Sequence, residues 1–247
     1  MYGYEDLGLI FIESMFRPTG PGGLTECTQA DYYVRSHLLG LANGVELFGA
    51  CANLCDVGNV YHHSQYGTVG LCHRAPELNP KESYVAYATM TSVLDRAEYL
   101  EYLDTGSTSV WALRFRNREG RNVYALWTIN GQRDLTLELS GDADAVVIDA
   151  MHNQRPVSRQ GRMAQLTVNS SPVYLRTGLE ITSIEPGSGR YSEAPPRNAR
   201  ASTILPSDRL SPSGTRSWRR TSATARAVRA TSSTSSSPTR PTATCCK

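Results

Sequence analysis

The sequence predicts an α/β part built on parallel strands, then an all-β part, then a tail that packs no core. Three observations carry this reading. Leu7-Gly8-Leu9-Ile10-Phe11-Ile12 is an apolar run with no polar break, followed by Glu13 and then a loop, Arg17-Pro18-Thr19-Gly20-Pro21-Gly22-Gly23. Such a run reads as a strand covered on both faces, as in a parallel sheet. From about residue 97 the apolar period changes from helical to two, with turn residues at short, regular spacing. Beyond Pro186, Ser, Thr, Arg, Ala and Pro dominate, and large apolar residues are too sparse to offset ordering entropy. The expected divisions are 1–96, 97–185 and 186–247.

The first strand delivers Glu13 to the place where it empties into its loop. In α/β barrels that is the rim on which active sites are built. A helix follows: Ala30, Tyr33, Val34, His37, Leu38, Leu41 and Ala42 recur on one helical face. Thr25 or Thr28 suits its start and Asn43-Gly44 its end. His37 lies on that stripe and reads as a packed core residue. Val45-Glu46-Leu47-Phe48 is a second strand, reached through the helix and therefore parallel to the first.

Residues 49–80 form a long irregular stretch holding Asp56, Tyr61, His62, His63, Tyr66 and His73. A connection of that length inside a domain reads as functional when it is rich in aromatic and hydrogen-bonding groups. Pro80 opens a second helix to Leu94, with Tyr84, Ala88, Thr91, Val93 and Leu94 expected on its inner face. Strands are then expected at 110–116, 123–128, 135–139, 145–149, 164–168 and 173–175, as an antiparallel β-sandwich. Trp111 and Trp127 read as its core.

The overall formal charge of +2 hides an uneven split. Residues 1–186 carry 14 Lys+Arg against 21 Asp+Glu, while 187–247 carry 11 against 2. A basic tail suggests an acidic polymer as partner, but no aromatic interleaving or motif supports this, so no nucleic-acid partner is expected. The tail reads instead as a disordered, GC-rich frame translated out of phase. Six cysteines are too few and unevenly placed for a disulfide framework. No stretch approaches the roughly 18 apolar residues of a membrane span, and Met1–Asp6 has no signal-peptide character.

In combination these residues resemble a known family. An apolar strand ending in Glu13, the helix Thr28-Gln29-Ala30-Asp31-Tyr32-Tyr33-Val34-Arg35-Ser36 and Gly44 before a short strand are similar to the last two βα units of (β/α)8-barrel glycoside hydrolases. Asp56, Asn79-Pro80-Lys81-Glu82-Ser83-Tyr84 at the final helix, and Pro172-Val173-Tyr174-Leu175 closing the sandwich fit the same resemblance. It is to the clan of retaining enzymes with catalytic Glu residues on barrel strands four and seven. The resemblance implies an incomplete TIM barrel followed by an accessory β-sandwich, with Glu13 as the nucleophile. Asp56, Tyr61, His62 and Tyr66 would face a carbohydrate substrate.

It also implies that the acid/base partner and the N-terminal barrel portion lie outside this chain, so that the chain alone is inactive. Glu46 falls inside its strand, too early to reach the rim. No cofactor is implied. Cys51, Cys55, Cys72, His73, His62 and His63 suggest zinc, but Cys72 and His73 are adjacent instead of spaced for tetrahedral closure, so no metal is expected. The rival from another class is a non-catalytic carbohydrate-binding or interaction module built on the sandwich. Because two βα units leave apolar strands uncovered, removing residues 1–80 is expected to raise solubility.

Overall fold

A computed structural model describes residues 8–18, 24–49, 54–57 and 67–190. The chain divides into two compact units, Met1–Pro195 and Pro196–Lys247, and all described residues belong to the first. Residues 191–247, on which most of the expected tail falls, lie outside the described residues.

The order begins β1 (Leu9–Phe11), α1 (Glu26–Ala42), β2 (Val45–Phe48) and α2 (Glu82–Val93). β1 and β2 pair in parallel, as a sheet of two strands. The strands are where the sequence puts them, and among the described residues their apolar side chains are left uncovered, as expected of two such strands standing alone. Leu9, Ile10, Phe11, Ile12 and Leu47 are all exposed, Ile12 at 81%. Among the described residues this two-stranded sheet carries no second layer on its open face, and α1 packs against it through β2. Phe48 sits over Gly40 of α1, where a Cβ would collide with its ring at 2.7 Å. The imidazole of His37 is tilted against that ring at 3.9 Å.

α1 starts where a cap residue allows. Thr25 is extended, and its hydroxyl accepts from the Thr28 amide at 3.1 Å. Its buried face holds Ala30, Tyr33, Val34, His37 and Leu38, as the period requires, plus Gln29, Asp31 and Gly40. Leu41 is exposed instead. Burial lowers the pKa of His37, whose ring nitrogens meet the Tyr33 carbonyl at 3.2 Å and the Tyr87 hydroxyl at 3.0 Å.

α2 buries Val93 and Leu94 as expected, but the rest of its inward face differs. Ser83, Ala86, Thr89, Met90 and Val93 are buried, while Tyr84, Ala88 and Thr91 are exposed. The helix packs on α1 through small side chains at 83 and 86 that admit close approach, and the bulkier Tyr84 projects away.

Strands β3 (Glu98–Tyr102), β4 (Val110–Arg116), β5 (Asn122–Thr128), β6 (Arg133–Leu139) and β7 (Ala145–Ile148) follow. Then come β8 (Gln154–Pro156), β9 (Ser158–Gln160), β10 (Met163–Val168), β11 (Val173–Thr177) and β12 (Ile181–Pro186). They form a six-stranded sheet, β3-β4-β5-β11-β7-β8, and a four-stranded sheet, β12-β6-β10-β9, with antiparallel pairing throughout. β3, β8, β9 and β12 add to the strands expected. β12 also runs past the expected end of pairing, since Gly187 donates to the Asp134 carbonyl and Arg190 exchanges backbone bonds with Gln132.

The six-stranded sheet is covered on both faces. One face meets the four-stranded sheet in a core that includes Ala112, Tyr124, Leu126 and Leu175 against Leu135, Leu137, Leu139 and Leu166. The other face meets the helices in a second core, where Val34, Leu38, Ala86 and Met90 pack with Phe115, Val123, Trp127 and Tyr174. Successive strand residues point to opposite faces, so β5 contributes to both cores and is buried at every position. Trp127 is buried, but in the second core against the helices, not between the two sheets where it was expected. Trp111 is only half-buried, stacked on Trp127 at 5.8 Å.

Candidate functional site

The C-terminal ends of the parallel pair are stitched together by backbone. The Gly49 amide donates to the Phe11 carbonyl at 2.7 Å, and the Ser14 hydroxyl donates to the Gly49 carbonyl at 3.0 Å. Only glycine fits at 49, because a Cβ there would lie 1.9 Å from the Ile12 carbonyl oxygen. Glu13 sits between these ties, just beyond β1, and is exposed. Glu46 belongs to the other end of the pair, its carboxylate lying against Gly8.

Asp56 is held by a cluster that the sequence did not suggest. Lys81, immediately before α2, extends its ammonium to Asp56 Oδ1 at 2.7 Å and to the Thr68 carbonyl at 3.0 Å. The Gly70 amide donates to the same Oδ1 at 3.0 Å. The Lys81 side chain is fully buried and that of Asp56 nearly so. A buried cation without such partners would carry a desolvation penalty of several kcal/mol.

The cluster continues into α1. Gln29 donates through Nε2 to the Phe16 carbonyl at 2.7 Å and to the Thr68 carbonyl at 3.1 Å, and accepts from Ser83 at 3.4 Å. Tyr33 donates its hydroxyl to the Val69 carbonyl at 2.6 Å. Two helices and two loop segments are thereby fixed around one buried polar centre.

This centre forms one wall of a cavity of about 330 Å³, lined among others by Pro18, Glu26, Asp56, Thr68, His73 and Asn79. His73 Nε2 stands 3.7 Å from Glu26 Oε1 across it. Glu13 is not among the lining residues. Of the five residues singled out from the sequence, Glu13 thus stands at the strand ends and Asp56 in the cavity wall. Tyr61, His62 and Tyr66 lie outside the described residues.

The sequence names Gln29 and Lys81 only within the motifs of the resemblance, with no role at the site, and does not single out Gly70. The available signal was a lysine, one of two in the chain, directly before a helix, and a glutamine adjoining an apolar stripe. Cys27 is disulfide-bonded, whereas Cys55 and Cys72 are free. Among the described residues no group of three or more His, Cys, Asp or Glu side chains is placed to hold a metal ion. Among them, too, no helix is long and apolar enough to cross a membrane.

No protein-family model matches the chain, and no curated protein matches it. Among solved structures it is similar to a family 39 glycoside hydrolase from the gut symbiont Bacteroides cellulosilyticus WH2. The identity is 20% and the TM-score 0.57, over 69% of this chain and 34% of that one. A looser likeness is to the catalytic domain of GH30 xylanase C from Talaromyces cellulolyticus, at 12% identity and a TM-score of 0.43, over 68% of this chain and 40% of that one. The first likeness is one of fold: this chain has a glycoside hydrolase-like fold over the shared part. It spans about a third of the length of that structure.

Proposed function

We propose that this chain is the C-terminal part of a retaining glycoside hydrolase. In this reading β1-α1-β2-α2, within residues 1–96, are the last two βα units of a (β/α)8 barrel, and residues 97–185 form its accessory β-sandwich. Glu13 is the nucleophile that attacks the anomeric carbon of a carbohydrate substrate, and Asp56, Tyr61, His62 and Tyr66 face the sugar. The observation that carries the reading is the position of Glu13, directly past a parallel strand whose end is tied to that of its neighbour. The fold likeness to a family 39 glycoside hydrolase supports it.

Retaining hydrolysis also needs a proton donor about 5 Å from the nucleophile. This reading assigns that donor to a preceding barrel portion, which would also cover the exposed Leu9, Ile10, Phe11 and Leu47. Asp56 acts through its position: with Oδ1 fixed by Lys81 and Gly70, it is a rigid wall for a ligand and needs no reorganisation on binding.

The rival module reading draws on a different groove, of about 550 Å³, lined among others by Tyr32, Arg35, Trp111, Trp127 and Ile129. Aromatic faces beside hydrogen-bonding groups suit sugars, though Trp127 is only 1% exposed.

The test is to read the genomic DNA upstream of Met1, express the longest open frame ending in this chain, and assay aryl glycosides. The proposal expects further βα units with a Glu at a strand end, turnover by the long product, and its loss in Glu13→Gln. A stop codon directly upstream, with polysaccharide binding by the chain that Glu13→Gln leaves unchanged, would favour the module.

A further inference from the structure

We propose that Cys55 and Cys72 form a dithiol–disulfide couple that braces the Asp56 cavity. The two residues are direct partners in a parallel β-bridge. The Asp56 amide donates to the Cys72 carbonyl at 2.9 Å, and the Cys72 amide to the Leu54 carbonyl at 3.0 Å. Neighbouring strands lie about 4.8 Å apart, inside the range of roughly 4.4–6.8 Å that a disulfide spans between Cα atoms. Partners in a bridge also send their side chains to the same side. Joining the sulfurs therefore asks for no movement of the backbone.

The two segments are already in contact. At Gly70 a Cβ would lie 2.5 Å from both the Asp56 nitrogen and the Cys55 carbonyl carbon. The thiols sense each other as well. Burial raises the pKa of Cys72 most, and the Cys55 sulfur beside it raises it further.

Cys72 is buried and Cys55 is partly exposed, so Cys55 is the point of entry. The co-reactant is a low-molecular-weight disulfide such as oxidised glutathione. The Cys55 thiolate attacks one glutathione sulfur, its S–S bond breaks, and one glutathione leaves with the proton that Cys55 gave up. The Cys72 thiolate then attacks the Cys55 sulfur, releasing the second glutathione, which takes the Cys72 proton. Two protein thiols are oxidised to one disulfide while one glutathione disulfide is reduced to two thiols. Cys27 is already disulfide-bonded, so the couple needs no redox environment other than the one that bond requires.

The closed loop contains Asp56, Thr68 and Gly70, three of the groups around Lys81. The disulfide would therefore hold the cavity wall in its ligand-ready form.

The experiment equilibrates the full chain in reduced and oxidised glutathione at a series of ratios, blocks remaining thiols with iodoacetamide, and maps the peptides. The urea-unfolded chain is the control. The expected result is a Cys55–Cys72 linked peptide from the native chain. It should persist at glutathione ratios roughly a hundredfold more reducing than in urea, the advantage expected when the fold pre-pays closure of a loop of this size. In Cys72→Ser a glutathione adduct should be trapped on Cys55. Alkylation of both cysteines at every ratio, or linkage of either to a different cysteine, would overturn the proposal.

Discussion

β1 and β5 are both short apolar strands, Leu9-Ile10-Phe11 in one and Val123-Tyr124-Ala125-Leu126-Trp127 within the other. Every residue of β5 is buried and every residue of β1 is exposed. Apolar text of this kind specifies a strand that wants cover on two faces, and what differs is the cover that the rest of the chain provides. β5 lies between a four-stranded sheet and two helices, while among the described residues β1 pairs with β2 alone, and it is β2 that packs on α1. The lesson is that a double-sided apolar run reports a requirement, which the described part of this chain meets for one strand and leaves open for the other.

The largest expected effect comes from stripping a layer off the satisfied region. α1 gives Ala30, Val34 and Leu38 to the core on the outer face of the six-stranded sheet. Burying a Val or Leu side chain fully is worth about 1.5–3 kcal/mol, comparable in sum to the whole stability of many domains. Removing residues 1–80 is therefore expected to abolish cooperative urea unfolding and lower solubility. This reverses the expectation drawn from the sequence, which saw the apolar strands but not that α1 seals the sheet behind them. Retained solubility with a sharp unfolding transition would break the comparison.

Next is the buried ion pair. Lys81→Met leaves Asp56 buried without its cation and is expected to cost about 3–5 kcal/mol in urea unfolding. A loss within about 0.5 kcal/mol would show the cavity wall to be far wetter than described.

A matched pair of truncations sharpens the contrast between the strands. Leu126→Ala in β5 is expected to cost about 2–5 kcal/mol, whereas Ile10→Ala in β1 should stay within about 0.5 kcal/mol. Equal costs would mean that β1 finds cover, by self-association for instance, which a dilution series would reveal.

Much of this was legible beforehand, and the limits have physical causes. The two parallel strands, α1 with its Thr25 cap, and the main antiparallel strands follow from apolar period and turn residues. The first turns of α2's inner face were misread because Tyr84 outweighs Ser83 and Ala86 in hydrophobicity, whereas close helix packing selects for small size; Val93 and Leu94 at its end are buried as expected. β8 and β9 are three residues each, too short to show a period. The position of Glu13 just past β1 was legible because the apolar run stops at it. The centre around Lys81 was not, because a buried lysine is defined by partners at positions 56 and 68, which no local pattern brings together.

The smallest expected effect lies inside the satisfied region. Among the described residues the buried Tyr174 hydroxyl has no hydrogen-bond partner, and burial drives its pKa far upward. An unmet buried hydroxyl costs about 1–3 kcal/mol, so Tyr174→Phe is expected to stabilise the protein by about 1 kcal/mol. A destabilised variant would mean that the hydroxyl has a partner.

Among the described residues one sheet is covered on both faces and the other is not, and native-state hydrogen exchange tests this contrast most directly. Amides of β4, β5 and β11 should exchange only through global unfolding, while the Gly49 amide, bonded to Phe11 across the parallel pair, should exchange through local opening at far lower free energy. Protection of Gly49 equal to that of β5 would contradict the account.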